Sequence, residues 1–484
     1  MTFLQMKNTL ASGKLVLSRQ HQFTRRECVS YMVRQFPSSE QLPSSISAFF
    51  REYRIAALLR KSRVTKQAGI PAIRLFEFLL ALVFSGRSLS WNLDPRRTTG
   101  FCKDTVYRFL NAPGHNWRRF LLLLAQAVIT RMQPLTSEDR TDVLIVDDSL
   151  YSRNRSKKVE LLARVYDHAA HRFVRGFRML TLGWSDGNSF VPLAFSLLSS
   201  EKAENRLHDM DPSMDRRTSG FHRRRESMGK ATVVLFDLLA QAKAAGVKTR
   251  ILLFDSWFAF PSTIVRAAGE GMTVICMLKA MKTVTYLVQG KRLTLSQIYA
   301  TVRKRRGRAK ILASVLVEVG KDEQGQGVAA KIVFVRDRNR SKQWLALLCT
   351  DTKLSDEEVI RLYGKRWDIE VFFKVLKSQL RLARELQGRS YDALVAHTTI
   401  VFTRYILLAV ETRNELDPRT LGALFLAMCD EMTDIRYADA ISLLLHLLAQ
   451  AVDGTVPDTT TKIREAVQHF IASLPSAIKE RLAA

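Results

Sequence analysis

The chain has 484 residues, enough to bury a large core in several domains, and this length excludes a small binding module. Its 75 Lys and Arg residues against 46 Asp and Glu residues give a formal net charge of +29. Because these charges are spread along the whole chain, they favour a polyanionic partner, most simply nucleic acid, with salt-sensitive binding.

The five cysteines are widely separated and form no Cys-x-x-Cys pair, so we expect them to be reduced and mostly buried, as in a cytosolic protein. The N-terminal sequence lacks the apolar run of a signal peptide. The longest uncharged stretches, 187–200 and 440–452, are too short to span a bilayer. These features predict a soluble intracellular protein without a membrane partner.

Residues 1–140 are predicted to form a helical DNA-binding region, because their apolar residues recur at helical spacing with little β-branched alternation. Within this region, residues 102–114 predict a short basic helix capped by Asp104 or Thr105 and ending near Pro113. Such a helix after a polar turn fits either the reading helix of a helix-turn-helix motif or an ordinary surface helix.

The pattern changes to strands from Asp142 onward. Five strand-like runs (DVLIVDDS, GFRMLTLGWSDG, SFVPLAFSLLSS, RILLFDSWF and MTVICMLK) are closed by turn residues, and a helix separates the third run from the fourth. This order favours an α/β domain with a mixed sheet. The polar segment 201–227 is predicted to be a mobile loop.

Further strand-like runs follow between residues 282 and 351, which we interpret as a β-rich insertion. Turns are predicted at Gln289–Gly290 and at residues 321–327. The glycines of the second turn resemble a phosphate loop only weakly, so a hairpin tip is the favoured interpretation. Beyond Ser390 the pattern returns to helices.

Four functional side chains stand at helical spacing in the stretch RLYGKRWDIEVFFKVLKSQLRL: Tyr363, Arg366, Glu370 and Lys377. On one helix they would fall within an arc of about 60°. The residues around them are mostly apolar, so we predict a buried helix that keeps one charged stripe. An acid between two cations and a phenol suits a metal-binding carboxylate beside a phosphate backbone.

Two further acids follow apolar runs that are typical of buried strands: Asp147 ends DVLIVD and Asp255 ends RILLFD. Together with Glu370 they are candidate ligands for two Mg²⁺ ions in phosphodiester chemistry. Each aspartate taken singly could equally start a turn or cap a helix. Asp148 is a second candidate for the first ligand, although strand alternation would turn it to the opposite face from Asp147.

These residues resemble the DDE transposases of bacterial insertion sequences, in particular the insertion sequence four family with its Tyr-Arg-Glu-Lys signature. The resemblance covers VDDS at Asp147, FDSWF at Asp255 and the spacing from Tyr363 to Lys377. It implies an α/β fold: an RNase H-like catalytic core, 141–281 and 352–400, interrupted by the β-rich insertion at 282–351. Helical regions, 1–140 and 401–484, precede and follow this core.

The resemblance also implies an activity, namely metal-dependent cut-and-paste transposition with end nicking, a hairpin intermediate and strand transfer. The metal would be Mg²⁺, as two ions, with Mn²⁺ as a substitute. The partners would be double-stranded DNA, as terminal inverted repeats and target, and a second copy of the chain in a homodimeric synaptic complex. The protein would work in the bacterial cytoplasm, on the nucleoid. A catalytically silent DNA-binding regulator and an RNase H-like hydrolytic nuclease are the alternatives.

The implied roles divide the site residues into two groups. Asp147, Asp255 and Glu370 would be the catalytic acids and metal ligands, while Tyr363, Arg366 and Lys377 would hold phosphates. The basic run at Arg303, Lys304, Arg305 and Arg306 is predicted to contact phosphate, a solvated hairpin or loop being the alternative.

Several other residues receive structural interpretations. His168 and His171 have metal-ligand spacing, but no acid or cysteine cluster completes a zinc set, so a surface turn is favoured. Burial is favoured for Tyr286 and Tyr299 over a base-accepting role. Trp257 and Trp367, which lie close to the motif acids, are interpreted as packing residues.

Overall fold

A computed structural model describes residues 43–86, 88–89, 101–135, 140–167, 170–305, 309–337, 343–386, 388–413, 419–435 and 437. Within these residues the chain is a mixed α/β structure, built on one large sheet with helices packed against it. This architecture is consistent with the RNase H-like fold predicted for the chain.

The N-terminal part of the described residues is helical, as predicted. Its helices are α1 (Ser44–Glu52), α2 (Ile55–Lys61), α3 (Ala72–Ala81), α4 (Lys103–Leu110) and α5 (Trp117–Met132). The short helix α4 occupies the predicted position, but its N-cap is Cys102 and not Asp104 or Thr105. Residues 90–100 lie outside the described part, so the helix-turn-helix interpretation stays a prediction.

Among the described residues, the sheet contains eleven strands. These are β1 (Val143–Ser152), β2 (Ala163–Asp167), β3 (Arg172–Ser185), β4 (Phe190–Leu198), β5 (Ile251–Phe254), β6 (Thr273–Leu278), β7 (Thr285–Val288), β8 (Lys291–Thr294), β9 (Ile311–Lys321), β10 (Gly327–Arg336) and β11 (Trp344–Cys349). Their order is β2-β3-β1-β5-β6-β11-β10-β9-β7-β8, and β4 also pairs with β3. The sheet begins and ends in antiparallel pairs, β2 with β3 and β7 with β8.

The centre of the sheet holds the strands that the sequence predicted for the catalytic core. Strand β1 pairs antiparallel with β3 and parallel with β5, and β5 pairs parallel with β6. Two crossovers, each containing a helix, make the parallel pairs possible. The residues of β1 from Val143 to Val146 are all buried, as expected for a strand covered on both faces.

The β-rich segment contains all the predicted runs, and the first of them splits into β7 and β8. Gln289 and Gly290 both have positive φ, as a tight two-residue hairpin turn requires. At the second turn, Asp322 Oδ1 accepts the amide hydrogens of Gln324 and Gln326, which confirms a hairpin tip. Because β11 pairs with β6, these strands extend the core sheet, and the boundaries of the insertion stay predictions.

Helices α6 (Ser219–Ser227), α7 (Ala231–Ala244), α8 (Pro261–Gly269) and α9 (Leu295–Thr301) lie between the strands. The prediction of a loop over 201–227 was wrong at its end, because α6 is helical and buries Arg224. Arg224 donates to Glu160 and Asp392, which lie far away in the chain. These acid partners permit the burial of an arginine that composition alone assigns to the surface.

The C-terminal helices are α10 (Asp356–Gly364), α11 (Trp367–Ser378), α12 (Tyr391–Glu411) and a helix over 421–435. Helix α12 packs against α5, α3 and β4 in the core. It has the length and hydropathy of a membrane span, yet 94% of its apolar window is buried inside the protein, so it is a core helix here. The part of the predicted C-terminal helical region beyond residue 437 lies outside the described residues.

Candidate active site

Asp147 and Asp255 lie beside each other at the centre of the sheet. In the parallel pair of β1 and β5, Val146 is in register with Phe254, and each aspartate is the next residue. Since the carboxyl ends of parallel strands meet at one edge, the two side chains enter the same space. The fold therefore joins two acids that are 108 positions apart in the sequence, by 255 − 147.

The positions of the two aspartates differ from one another in detail. Asp147 was predicted at a strand end, but β1 continues to Ser152 because its pairing with β3 continues to that residue. Asp255 does follow the last residue of its strand, and its Oδ1 accepts the amide hydrogen of Trp257. Asp255 thus starts a turn as well as facing the cleft, so the two interpretations of this residue are compatible.

The sequence predicted that the signature residues share one helix, and this prediction was wrong. Helix α10 ends at Gly364 and α11 begins at Trp367, so Tyr363 belongs to the first helix and Arg366 caps the second. Between them, the ammonium group of Lys365 donates to the backbone carbonyls of Thr141 and Asp186 at the base of the sheet. These contacts hold the junction where the two helices separate.

The break still leaves Arg366 close to the acids. Its Nη1 lies 3.0 Å from Asp147 Oδ2 and 3.3 Å from Glu370 Oε1, so one guanidinium bridges two of the three predicted acids. The ring of Tyr363 lies 5.9 Å from the same guanidinium. Burial acts to lower the pKa of Arg366, but Tyr363, Asp147 and Glu370 outweigh it and raise that pKa. Arg366 is therefore a permanent positive charge inside the site.

The carboxyl group of Asp147 is electrostatically unusual. Burial and the nearby charge of Asp255 raise the pKa of Asp147 to about 8, although Arg366 acts in the opposite direction. Two carboxylates that face each other in a poorly hydrated place resist being charged together. Such a perturbed acid in a cleft is typical of a functional site.

The three acids open into one cleft with a volume of about 670 Å³. Its walls also carry Ser149, Lys279, Lys374 and Lys377, together with the apolar side chains of Trp257, Phe260, Met281 and Phe373. Lys377 Nζ donates to Ser149 Oγ at 2.6 Å, which joins the last turn of α11 to the catalytic strand. Acids at the base, with lysines and aromatic rings around them, suit a negatively charged ligand that also presents flat apolar groups.

Asp148 lies on the wall of the same cleft, contrary to the prediction that alternation would turn it away. Strand β5 ends opposite Val146, so beyond that point β1 has no neighbour on this side and both its faces reach the cleft. The carboxylate of Asp148 is paired with Arg178, whose guanidinium stacks on Trp257 at 4.6 Å from the ring centroid. Asp147 and Asp148 are thus each paired with an arginine, Arg366 and Arg178 respectively, and the choice of Asp147 as the first metal ligand stays a prediction.

The packing interpretation of the two tryptophans was wrong. Trp257 is 47% exposed in the cleft, and Trp367 is 64% exposed at the start of α11. Sequence reasoning missed Arg178, Lys279 and Lys374. The spacing of Lys374 four residues after Glu370, on the same helix, was a usable signal, whereas nothing near Arg178 in the sequence marks it.

The remaining predicted residues do not line the cleft. Tyr363 and Arg366 are not among its wall residues, although Arg366 contacts two of the acids, and their phosphate-holding role stays a prediction. Arg303, Lys304 and Arg305 are exposed, while Arg306 lies outside the described residues. Their contact with phosphate likewise stays a prediction.

The structural interpretations of two tyrosines and a histidine hold. Tyr286 is 2% exposed, and Tyr299 stacks on Trp344 with ring centroids 4.6 Å apart. His171 lies in an exposed turn, as favoured, and its neighbour His168 falls outside the described residues. The buried cysteines 276 and 349 are free thiols.

The donor set fits a hard divalent cation in its chemistry. Mg²⁺ prefers carboxylate oxygens, and Asp147, Asp255 and Glu370 offer them at one cleft. Among the described residues, no group of three His, Cys, Asp or Glu side chains is close enough to hold a metal ion. Arg366 lies between Asp147 and Glu370, so Glu370 could join the other two only after parting from this guanidinium.

Comparison with known proteins gives similarities to a family model and to solved structures. A family model described as DDE superfamily endonuclease matches residues 88–322 of this chain. A solved structure described as the Drosophila P element transposase strand transfer complex is 11% identical, with a TM-score of 0.21 and coverage of 95% of this chain and 97% of that chain. The comparison with curated proteins found no match. The segment that carries Asp147 and Asp255 is thus similar to DDE superfamily endonucleases, and the match ends before Glu370.

Proposed function

We propose that this chain is a DNA transposase of the insertion sequence four type, which catalyses metal-dependent cut-and-paste transposition. The observation that carries the proposal is the meeting of Asp147 and Asp255 on the adjacent parallel strands β1 and β5, with Glu370 in the same cleft. The similarity of residues 88–322 to DDE superfamily endonucleases supports the same reaction class. The large positive charge supports a nucleic acid substrate.

In this proposal the three carboxylates hold two Mg²⁺ ions, for which Mn²⁺ can substitute. When bound, such ions activate the attacking oxygen and stabilise the leaving oxygen of a phosphodiester. Lys374 and Lys377 on α11 attract the phosphate backbone to the cleft, and Arg366 keeps Asp147 and Glu370 aligned before the DNA arrives. The substrates are the terminal inverted repeats and the target DNA, bound by a homodimer in the bacterial cytoplasm.

The proposed strand chemistry has three parts. A nick at the element end frees a 3′-hydroxyl, this hydroxyl attacks the opposite strand to form a hairpin, and the reopened end is transferred into target DNA. The nick and the reopening of the hairpin are hydrolyses, in which water breaks a phosphodiester bond and leaves a 3′-hydroxyl and a 5′-phosphate. Hairpin formation and strand transfer are transesterifications, each of which makes one phosphodiester bond and breaks another, so no oxidant or external energy source is needed. One set of acids would serve all these displacements in turn, as the successive phosphates enter the cleft.

The proposal is tested by incubating the purified protein with Mg²⁺ and the DNA that flanks its coding sequence, followed by denaturing gels. We expect nicks, hairpins and joined products from the native chain. Asp255→Asn is expected to bind DNA but to give none of these products, because it removes one ligand charge. Asp237→Asn, which changes an exposed aspartate on α7, is the matched control and should leave all products in place.

The outcomes separate the alternatives. Nicks without hairpins or joined DNA would show a hydrolytic nuclease. DNA binding without any cleavage by the native chain would show a catalytically silent regulator. Full activity of the Asp255→Asn variant would remove that residue from the site and overturn the proposed mechanism.

A further inference from the structure

The hairpin of β2 and β3 carries a surface that the catalytic cleft does not use. Residues Ala163–Asp167 pair in antiparallel register with residues Arg172–Gly176. Alternation gives this two-stranded ribbon two different faces. On the inner face, Ala163, Val165 and Val174 are buried and pack with Leu150 of the catalytic strand β1.

The outer face consists of two cross-strand pairs. Arg164 is directly opposite Arg175, and Tyr166 is directly opposite Phe173. All four side chains are exposed, and Phe173 is 69% exposed. The two aromatic rings meet edge to face, with centroids 5.2 Å apart. We call these four residues the ribbon face.

This composition is unfavourable for a surface that meets only water. Like charges directly opposite one another destabilise a strand pair. A large exposed aromatic pair beside them adds apolar surface without burying it. A polyanion that also presents flat rings removes both penalties, since phosphates neutralise the arginines and bases contact the aromatics.

The ribbon also lies close to the proposed reaction. Leu150, which supports it, is three residues after Asp147 on the same strand. The negative charge of Asp167, at the end of β2, favours the protonated form of Lys377, and Lys377 donates to Ser149 at the cleft. A duplex held at the cleft would therefore continue across the ribbon.

From this geometry we infer that the ribbon face binds double-stranded DNA next to the cleft, with Arg164 and Arg175 on phosphates and Tyr166 and Phe173 in the adjacent groove. A two-stranded β-ribbon fits the major groove of DNA, and aromatic or apolar side chains can also wedge into base steps. The inference rests on the proposed function for its choice of ligand. In this inference the ribbon positions the duplex and takes no part in the chemistry.

The test measures binding of the full chain to a random-sequence DNA duplex in EDTA, so that cleavage plays no part. The variant is Arg164→Ala with Arg175→Ala, studied over a range of salt concentrations. Loss of two phosphate contacts should make the slope of log K against log salt shallower by about 1.8. Phe173→Ala should weaken binding at least about fivefold, because the apolar ring would no longer be buried in the groove.

The chain offers a matched control at the far end of the sheet. Lys291 and Arg292 are both exposed on β8, so Lys291→Ala with Arg292→Ala removes the same charge from another hairpin. This control should leave the slope nearly unchanged. An equal change in both double variants would mean that only net charge matters, and it would overturn the inference.

Other outcomes are equally decisive. If the ribbon variants change the oligomeric state and not DNA affinity, the face is a contact between copies of the chain. If they aggregate with unchanged affinity of the soluble fraction, the arginines serve to protect an edge strand. Binding that depends on the ribbon in a protein that never cuts DNA would keep the inference and reject the proposed catalysis.

Discussion

Among the signature residues, Arg366 is the one whose contacts differ most from those that the sequence predicted. Its guanidinium joins Asp147 to Glu370, so it holds together the two acids that belong to different parts of the chain. Side chains that are largely buried make this contact stronger than a surface ion pair, although Glu370 is partly exposed and its share is smaller. In the absence of metal, Arg366 is the counter-charge of the site.

Above about pH 8, where Asp147 is charged, replacement of Arg366 by Ala should destabilise the protein because it leaves this buried carboxylate without its partner. We expect the free energy of unfolding in EDTA to fall by about 3 kcal/mol. Addition of Mg²⁺ should recover part of this loss, since a cation that binds only the folded state stabilises it. Urea unfolding with and without Mg²⁺ checks both effects.

Lys374→Ala provides the control for this prediction. Lys374 is an exposed cation on the same helix and the same cleft, so its loss should cost far less stability. Equal losses of unfolding free energy for Arg366→Ala and Lys374→Ala would show that the ion pair with Asp147 contributes no more to stability than an exposed lysine.

The sequence identified the acids better than their neighbours. Asp147 and Asp255 follow apolar runs that are typical of buried strands, which made them candidates although each could equally have started a turn or capped a helix. Arg178 and Trp257 could not be identified in this way. Arg178 pairs with Asp148 and stacks on Trp257, and these contacts form only because three strands meet in space. Trp257 is exposed because it lines the cleft, and its residue type alone does not predict this position.

The junction of α10 and α11 is the element that helical periodicity could not reveal. Every residue from Asp356 to Ser378 except the pair Lys365–Arg366 lies in one of the two helices, and the sequence there has no proline. Two features meet at the break: Gly364, a weak helix former, is the last residue of α10, and Lys365 reaches the carbonyls of Thr141 and Asp186. A spacing argument assumes one straight helix and therefore could not anticipate it.

Replacement of Lys365 by Met should loosen this junction. It removes a charged donor from two carbonyls, so we expect the free energy of unfolding to fall by about 2 kcal/mol. Lys353→Met, which changes an exposed lysine just before α10, should have almost no effect. Urea unfolding of both variants decides the matter, and similar stabilities would contradict an anchoring role for Lys365.

At the scale of the whole molecule, buried charged groups connect α3 and α12 with the segment that follows α11. Arg404 of α12 donates to the backbone carbonyls of Leu79 and Leu80, and it pairs with Glu385 at 2.9 Å. His397 lies on the same helix, with Nδ1 3.8 Å from the carboxylate of Glu385. Burial, with the charges of Arg404 and Arg153 nearby, holds the pKa of His397 well below its usual value.

A neutral His397 gives stability a dependence on pH. Its unfolded form binds a proton below about pH 6.5, while the folded form does not, so stability is complete above that pH and falls as the pH decreases. The slope due to this residue approaches about 1.4 kcal/mol per pH unit. Glu385 has a raised pKa, chiefly through burial, and therefore acts in the opposite direction at lower pH.

His397→Gln should flatten the decline between about pH 6.5 and pH 5.5 relative to the native chain. Free energies of unfolding measured across this range give the difference directly. His222→Gln, at an exposed position, should retain the native slope. Parallel curves for the native chain and His397→Gln would show that His397 titrates normally in the fold.

The strands after Lys282 share the hydrogen-bonded ladder of the core, because β11 pairs with β6 over four residues. A segment attached in this way is not a removable module. Excising it would leave β6 as a bare edge beside the strand that leads to Asp255, open to pairing with other chains. Evolution of this region is therefore restricted to changes that keep a partner strand for β6, whatever happens to the hairpins farther out.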